Sequence, residues 1–209
     1  MPLVAWGLIG LIIGSKFFGI LSKGMYNLVE TGYWNLHDSV FNSGIVYWGG
    51  LLGFLLAIWL SCRLFKKNFE DIANSLAVVI PLFHTFGRIG CFFAGCCYGK
   101  INEGPFSLPY RIGVEGIWEK RLPAQLIEAS FELFVFIVLL RVYLKRDREK
   151  GVYLIYLYLA LYSVFRLFIE FFRDDSIRGV VGILSFSQII SLISIMSISI
   201  LIFRKRGQT

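Results

Sequence analysis

An arginine, a histidine and three cysteines stand together in the segment His84–Gly99, HTFGRIGCFFAGCCYG, at the end of an apolar run. An arginine at membrane depth costs roughly 2.5–3.5 kcal/mol on insertion scales, so it indicates a functional site with an anionic partner. In a bilayer the obvious anion is a phospholipid phosphate. Arg88 therefore predicts a site for chemistry on lipids.

A second arginine lies four residues before a glutamate in the segment FRLFIEFFR, so Arg166 and Glu170 share one face of a helix. The pair could be an internal salt bridge of a helix bundle. Alternatively, Glu170 orients Arg166 toward a ligand phosphate, which guanidinium groups bind in a bidentate fashion. Arg88 and Arg166 come from different apolar spans at similar depth, and this convergence favours a phosphate clamp.

The histidine and the cysteines of the first segment leave three interpretations open. His84, Cys91, Cys96 and Cys97 have the ligand types of a zinc site, but the spacing H-x6-C-x4-C-C is not a standard zinc pattern. His84 could instead activate a cysteine thiolate as a nucleophile, or the thiols could simply pack against glycines, with or without a disulfide. We predict neither a bound metal nor a cofactor.

Further polar residues stand near the ends of apolar spans. Arg121, Gln125 and Glu128 (RLPAQLIE) lie where a loop enters a span, a place typical of interfacial anchors. Gln188 is a single polar residue in an apolar helix, where an amide most often forms a helix-to-helix hydrogen bond.

The composition is that of a membrane protein. Of 209 residues, 56% are hydrophobic and 17% aromatic, and the mean hydropathy is +0.68. A net charge of +7 could suggest a nucleic-acid partner, but the basic residues form short clusters after apolar spans, which marks cytoplasmic loops instead. The clusters are Arg63, Lys66 and Lys67; Arg141, Lys145, Arg146, Arg148 and Lys150; and Arg204, Lys205 and Arg206.

We predict an all-α integral membrane protein in one polytopic domain, residues 1–209. About six membrane spans are expected, near 3–22, 44–62, 73–92, 125–143, 152–171 and 181–203. Basic loops inside the cell require both termini to be cytoplasmic, and the first span has the features of a retained helix. The outer segments are then 23–43, 93–124 and 172–180, whose acidic residues are Glu30, Asp38, Glu103, Glu115, Glu119, Asp174 and Asp175.

The third span is expected to be kinked or broken. Pro81 lies inside it, and Gly87, Gly90, Gly95 and Gly99 follow at close intervals. Irregular backbone at membrane depth is tolerated only where protein or a water-filled cavity covers it. The outer loop 100–124 is long enough to cap such a cavity.

Five blocks of the chain resemble the prolipoprotein diacylglyceryl transferase family. The segment GRIGCFFAGCCYGK is similar to the family signature GRxGNFxNGExxG, and SGIVYWGGLLG to GGxSFHGGLIG. RLPAQLIE is similar to RHPSQLYE, FRLFIEFFRDD to FRxxxEFFRxPD, and ILSFSQIIS to ISMGQxLS. The blocks keep the family's order and cover most of residues 5–205, which is more specific than any single match.

The resemblance implies a multi-pass enzyme of the bacterial cytoplasmic (inner) membrane. Such enzymes transfer diacylglyceryl from phosphatidylglycerol to the lipobox cysteine of a prolipoprotein and release glycerol phosphate, at a site open to the outer leaflet. Arg88 and Arg166 then correspond to the arginines of the headgroup site, and Glu170 to their supporting carboxylate. The other matched positions imply a substrate-binding set: Gly49, Gly50, Gly99, Arg121, Gln125, Glu128 and Gln188.

The chain departs from the family pattern on the side that faces the acceptor. Cys91 stands at the signature Asn, Cys96 at the signature Glu, and Trp48 at the His of the HGG block. The match also begins about one helix late. These departures leave the lipid donor better supported than the acceptor, so Cys91, Cys96 and His84 join the expected catalytic set. The alternative is a non-catalytic membrane protein that binds a metal or uses its thiols on the same scaffold.

Overall fold

The computed structural model describes residues 2–112, 116–145, 154–174, 180–181 and 184–206. In these ranges the chain is mostly helical, with two short antiparallel hairpins. Among the residues discussed above, Glu115, Arg146, Arg148, Lys150 and Asp175 lie outside the described residues. The elements are α1 (Pro2–Thr31), α2 (Leu36–Phe41), α3 (Tyr47–Leu64), α4 (Phe69–Phe93), β1 (Leu108–Ile112), β2 (Ile117–Arg121), α5 (Ala124–Lys145), α6 (Leu154–Ile169), β3 (Val180–Val181), β4 (Leu184–Ser185) and α7 (Phe186–Arg206).

Within the described residues, four helical segments are long and apolar enough to cross a membrane: Leu3–Thr31, Tyr47–Leu64, Phe69–Phe93 and Leu154–Phe172. Their outer surfaces carry large apolar side chains. Ile12 and Phe83, for example, are 65% and 74% exposed. Apolar surface on this scale is stable when lipid tails cover it. The prediction of a mostly helical membrane protein is confirmed, whereas six spans and two cytoplasmic termini stay predictions.

The third predicted span is a continuous helix. α4 runs from Phe69 to Phe93 with Pro81 inside it, so the prediction of a break within this span is wrong. Proline removes one backbone donor, but the helix continues past it. The hydroxyl of Thr85 donates to the Pro81 carbonyl at 2.9 Å. The backbone leaves the helix only after Phe93, where Gly95 adopts a φ of 63°.

The mostly helical structure agrees with the all-α class, but the expected cap loop contains a β-hairpin that the sequence did not predict. Strands β1 and β2 pair in antiparallel fashion, from Leu108 opposite Arg121 to Ile112 opposite Ile117. A second, two-residue hairpin pairs β3 with β4. The sequence around β1 and β2 alternates poorly between apolar and polar residues, and its prolines and glycines indicated a loop.

The chain divides into two compact units. Unit 1 comprises Met1–Ala73 and Ser176–Ile190, and unit 2 comprises Asn74–Asp175 and Ser191–Thr209. The single polytopic domain over residues 1–209 stays a prediction.

Unit 1 is built on a close approach of two helix backbones, α1 and α3. A Cβ atom on Gly14 would collide with the Gly49 carbonyl oxygen, and one on Gly53 with the Gly10 carbonyl oxygen. Each helix thus presents two glycines four residues apart to the other, the arrangement by which membrane helices approach most closely. The backbone N–H of Val46 also donates to a carbonyl of α1 at 3.2 Å.

Unit 2 brings the ends of three helices together through the segments that connect them. After α4, the N–H of Gly99 donates to the Leu122 carbonyl at 2.8 Å, and that of Lys100 to the Phe172 carbonyl at 2.9 Å. Leu122 in turn donates to the Lys100 carbonyl at 3.1 Å. These bonds place the end of α4, the beginning of α5 and the end of α6 side by side.

We expect Gly14→Ala to destabilise the protein and Gly87→Ala to leave its stability unchanged or raised. The first methyl group would overlap a backbone carbonyl, and overpacking of this kind costs about 1–3 kcal/mol. The second would meet no atom within 4 Å, and alanine favours a helix over glycine by about 1 kcal/mol. Thermal unfolding midpoints in one detergent compare the two variants, and equal midpoints would contradict this packing.

Candidate functional site

Charged and polar side chains from three helices converge in unit 2. On each helix they recur at intervals of three or four residues, so they share one face. A 3-10 turn, Glu170–Phe172, continues α6 and keeps its polar face directed to the same place. The convergent residues are His84 and Arg88 of α4; Gln125, Glu128 and Glu132 of α5; and Arg166, Glu170 and Arg173 at the end of α6.

Glu128 is the centre of this ionic cluster, which comprises Arg88, Glu128, Arg166, Glu170 and Arg173. Its Oε2 lies 2.8 Å from Arg88 Nη2. Its Oε1 lies 3.4 Å from Arg166 Nη1 and is also paired with Arg173 Nη1. Glu170 Oε2 lies 2.8 Å from Arg166 Nη2. One carboxylate, 1% exposed, is thus shared by three guanidinium groups.

The pairing explains how three arginines are accommodated in a buried place. An unpaired buried charge is strongly unfavourable, whereas a charge with an opposite partner and hydrogen bonds is tolerated. The structure brings Arg88 and Arg166 together on the two oxygens of Glu128, and Glu170 holds Arg166 from the other side. The site therefore contains several guanidinium donors in one small region.

His84 belongs to the same site and is held between Arg88 and Glu132. Arg88 Nε donates a hydrogen bond to His84 Nε2 at 3.1 Å. Since Nε2 accepts, the ring proton must lie on Nδ1, which is 3.1 Å from Glu132 Oε1. In this arrangement the lone pair of His84 is directed to Arg88, and the imidazole positions that guanidinium group.

A second arginine centre, the Arg121 junction, fixes the connecting segments. Arg121 Nε donates to Glu119 Oε2 at 2.8 Å, its Nη1 pairs with Asp174, and the guanidinium lies 4.7 Å from the centre of the Tyr98 ring. Burial alone would lower the pKa of Arg121, but its hydrogen bonds to Asp174 and Glu119 outweigh that effect and raise it. The group therefore stays charged and connects β2 to the segments after α4 and α6.

Gln125 links the hairpin to the turn after α4. Its Nε2 donates to the carbonyl oxygen of Cys96 at 2.6 Å, and its Oε1 accepts a hydrogen bond from the Tyr110 hydroxyl at 3.1 Å. The side chain is fully buried. Both ends of the amide are thus used to hold the cysteine-containing turn.

That turn, the cysteine turn, brings three thiols together: Cys91, Cys96 and Cys97. Their Sγ atoms all lie within 4.8 Å of one another, and each cysteine is a thiol and not half of a disulfide. Cys96 is exposed, while Cys91 and Cys97 are partly buried. Cys97 has a φ of 63°, a left-handed conformation that is uncommon for a residue other than glycine.

Gly99 follows the cysteine turn at a point of close backbone approach. A Cβ atom there would lie 2.6 Å from the Phe172 carbonyl oxygen and 2.8 Å from Leu122 Cβ. The last glycine of the segment is therefore required by packing between the three connecting segments, whatever else it does.

Three predicted substrate-binding residues, Gly49, Gly50 and Gln188, lie in unit 1. Gly49 is at the beginning of α3, against α1. Gln188 caps its own helix: its Oε1 accepts from the Ser185 N–H at 3.0 Å, and its N–H donates to Ser185 Oγ at 3.2 Å. This is a reciprocal capping box, so the Gln188 side chain stabilises the beginning of its own helix.

Sequence reasoning missed two members of the buried site, Arg173 and Glu132. Arg173 follows Glu170 by three residues, one helical turn further along the segment FRLFIEFFR. Glu132 is fully buried and follows Glu128 by four residues in an apolar helix. Two carboxyls on one face at that depth were the signal that could have identified it, because such residues are rare in spans.

Apolar helices of membrane-spanning length and a buried cluster of arginines and glutamates define a multi-pass membrane protein with an ionic site. The comparisons with known proteins specify the class further. A family model described as prolipoprotein diacylglyceryl transferase matches residues 1–204. The chain belongs to the prolipoprotein diacylglyceryl transferase family, which is a family of enzymes.

Three of its relatives bear the same functional name. The phosphatidylglycerol–prolipoprotein diacylglyceryl transferase of Clostridium tetani is 35% identical over 201 residues, which cover 94% of this chain and 76% of that protein. The enzyme of the same name from Campylobacter hominis is 34% identical over 210 residues, covering 94% of this chain and 69% of that protein. That of Campylobacter lari is 32% identical, with coverage of 90% and 70%.

Glu128→Gln should destabilise the protein strongly, because it leaves three buried guanidinium groups without their shared charge. Removing one partner of a buried ion pair typically costs about 3–5 kcal/mol. Glu103→Gln, at an exposed position, is the matched control and should have almost no effect. The measurement is the thermal midpoint of each purified variant in the same detergent. A Glu128→Gln midpoint equal to that of Glu103→Gln would rule out Glu128 as the centre of the cluster.

Proposed function

We propose that this chain transfers the diacylglyceryl group of phosphatidylglycerol to a thiol at the outer leaflet of the cytoplasmic membrane. The observation that carries the proposal is the gathering of Arg88, Arg166 and Arg173 around one buried glutamate. The names of the relatives supply the donor and the acceptor class for those proteins. The topology that we propose has six spans, with both termini on the cytoplasmic side.

The lipid phosphate is the anion that fits the ionic cluster. Guanidinium groups bind phosphate through paired N–H donors and keep their charge at any physiological pH. Arg88 and Arg166 also occupy the positions that match the headgroup arginines of the family motifs. His84 and Glu170 act as positioning residues, since each contacts one of these two guanidinium groups.

The reaction that we propose is displacement at the glycerol carbon bonded to the phosphate oxygen. The acceptor sulfur, as thiolate, forms the new carbon–sulfur bond while the carbon–oxygen bond breaks. The leaving glycerol phosphate takes the electron pair, and the proton of the thiol is released to solvent. Arg88 and Arg166 stabilise the charge that grows on the leaving phosphate, as fixed cationic donors do in a site of low dielectric constant.

In this proposal the acceptor binds near the cysteine turn, and the residues around that turn hold it in place. Arg121, Gln125 and Gly99 hold that turn against the hairpin and the end of α6. Their proposed contribution to substrate binding is to keep this region in place. A cysteine of a prolipoprotein is the acceptor that the relatives' names suggest.

Three of the predicted substrate-binding residues belong to unit 1. Gly49 and Gly50 are buried at the beginning of α3, and Gln188 is buried at the beginning of α7. Their match to the family motifs supports a contribution to substrate binding. The packing and capping described above supply a structural reason for two of them.

Arg88→Ala and Arg166→Ala should each reduce diacylglyceryl transfer by at least about 100-fold, the scale expected for removal of one charge-stabilising donor. Arg63→Ala, at an exposed end of α3, should retain full activity. The assay combines the purified chain, phosphatidylglycerol and a lipobox peptide, and mass spectrometry detects the diacylglyceryl adduct on the peptide cysteine. Thermal midpoints establish that each variant is folded.

Full activity in a folded Arg88→Ala or Arg166→Ala variant would contradict the phosphate clamp. Release of glycerol phosphate without a peptide adduct would support phosphatidylglycerol as the donor and contradict the peptide thiol as the acceptor. If wild-type protein forms neither product, the catalytic proposal fails.

A further inference from the structure

The cysteine turn is a compact set of three sulfur atoms. Cys96 Sγ lies 3.6 Å from Cys97 Sγ, and all three Sγ atoms fall within 4.8 Å. His84 is not part of this set, because its two ring nitrogens face Arg88 and Glu132. The candidate ligands are therefore three thiols, which differs from the His-plus-cysteine set that the sequence suggested.

The separations suit one small thiophilic ion. Zinc–sulfur bonds are about 2.3 Å long, so three sulfurs on one zinc ion lie about 3.7–4.0 Å apart. Even sulfur atoms 4.8 Å apart would reach that separation with about 1 Å of side-chain movement. Soft thiolate ligands select zinc and copper(I) over hard cations such as magnesium or calcium.

The position of the turn favours a cation over bare thiolates. Cys91 is in the last turn of α4, and its carbonyl oxygen accepts both the backbone N–H of Cys96, at 3.1 Å, and the Cys96 thiol, at 3.6 Å. The carboxyl end of a helix carries partial negative charge, which disfavours anions and stabilises cations. A divalent ion would offset both this field and the charge of its ligands.

The turn is also held in place on one side and accessible on the other. Gln125 binds the Cys96 carbonyl at 2.6 Å, which fixes the backbone between the sulfurs. The Cys96 side chain itself is exposed. Three protein ligands with one accessible side are the arrangement of a catalytic zinc site, in which the fourth position takes water or substrate.

We propose that Cys91, Cys96 and Cys97 bind one zinc ion, and that its fourth position takes the thiol of the acceptor. The metal site stands by itself, while its role toward the acceptor rests on the proposed function. Coordination to zinc deprotonates a thiol at neutral pH, because a metal-bound thiol is held as thiolate. The proton is released to solvent, and the bound sulfur keeps the electron pair that forms the carbon–sulfur bond.

This role answers a question that the ionic cluster leaves open, namely which group takes the proton of the acceptor thiol. His84 is the histidine of the ionic site, and its lone pair is directed to Arg88. A zinc ion at the cysteine turn would lower the pKa of the acceptor thiol with no histidine involved.

Cobalt(II) titration of the full chain in detergent tests the metal site without any turnover. We expect one equivalent of cobalt with a sulfur-to-cobalt charge-transfer absorption, which one equivalent of zinc displaces. Cys96→Ser should weaken binding at least tenfold, and the triple variant of Cys91, Cys96 and Cys97 to serine should abolish it. Cys62→Ala, which removes a thiol in α3, is the matched control and should bind as wild type does.

The same cobalt-loaded protein tests the fourth position. A lipobox peptide should increase the charge-transfer absorption, and the peptide with serine in place of its cysteine should not. No thiolate-to-cobalt band in wild type, or an equal band in the triple variant of a folded protein, would overturn the metal site. No response to the cysteine peptide would overturn the acceptor role.

A transfer assay distinguishes failure of this inference from failure of the proposed function. Protein stripped of metal by a chelator should lose at least nine-tenths of its transfer to the lipobox peptide and regain it with zinc. Equal transfer with and without metal would contradict the acceptor role and leave the proposed function intact. Absence of transfer from zinc-loaded protein that binds cobalt as expected would contradict the proposed function and leave the metal site standing.

Discussion

The carboxylate of Glu128 is the constraint on which unit 2 depends. Three guanidinium groups come from α4 and from the end of α6, and burial of each would be unfavourable without an opposite charge. Because one side chain serves all three, the ends of these helices must meet at α5. The connecting segments then follow: Gly99 permits their close approach, and Arg121 holds them through Asp174 and Glu119.

The sequence predicted the parts of this site that are conspicuous in an apolar context. Arg88, Arg166 and Glu170 were identified because charge at membrane depth is costly, and the structure brings them together. The position of Glu128 near a loop indicated an interfacial anchor, and Glu128 entered the expected substrate-binding set only through the family resemblance. Its central position depends on contacts with helices distant in the sequence, which local pattern does not reveal.

For the fold as well, the sequence predicted features that depend on neighbouring residues and missed features that depend on contacts between distant segments. Apolar runs predicted helices in the right places, since hydrophobicity is a local signal. The break predicted within the third span was wrong, because the one backbone donor that Pro81 lacks does not end a helix whose neighbouring turns are intact. The hairpin of β1 and β2 was missed since its pairing joins two short segments that individually resemble a loop. The packing of Gly14 against Gly49 depends on the contact between α1 and α3, which the sequence alone does not show.

Nitrogen-15 NMR of arginine side chains tests most directly whether the ionic cluster holds the donor phosphate. The full chain, labelled at arginine, is titrated in detergent with phosphatidylglycerol, and with diacylglycerol of the same acyl chains as the control lipid without phosphate. Our account predicts that phosphatidylglycerol shifts the guanidinium signals of Arg88 and Arg166, assigned by single substitution, and leaves that of Arg63 unchanged. Unshifted Arg88 and Arg166 signals at saturating phosphatidylglycerol, or equal shifts with diacylglycerol, would contradict it.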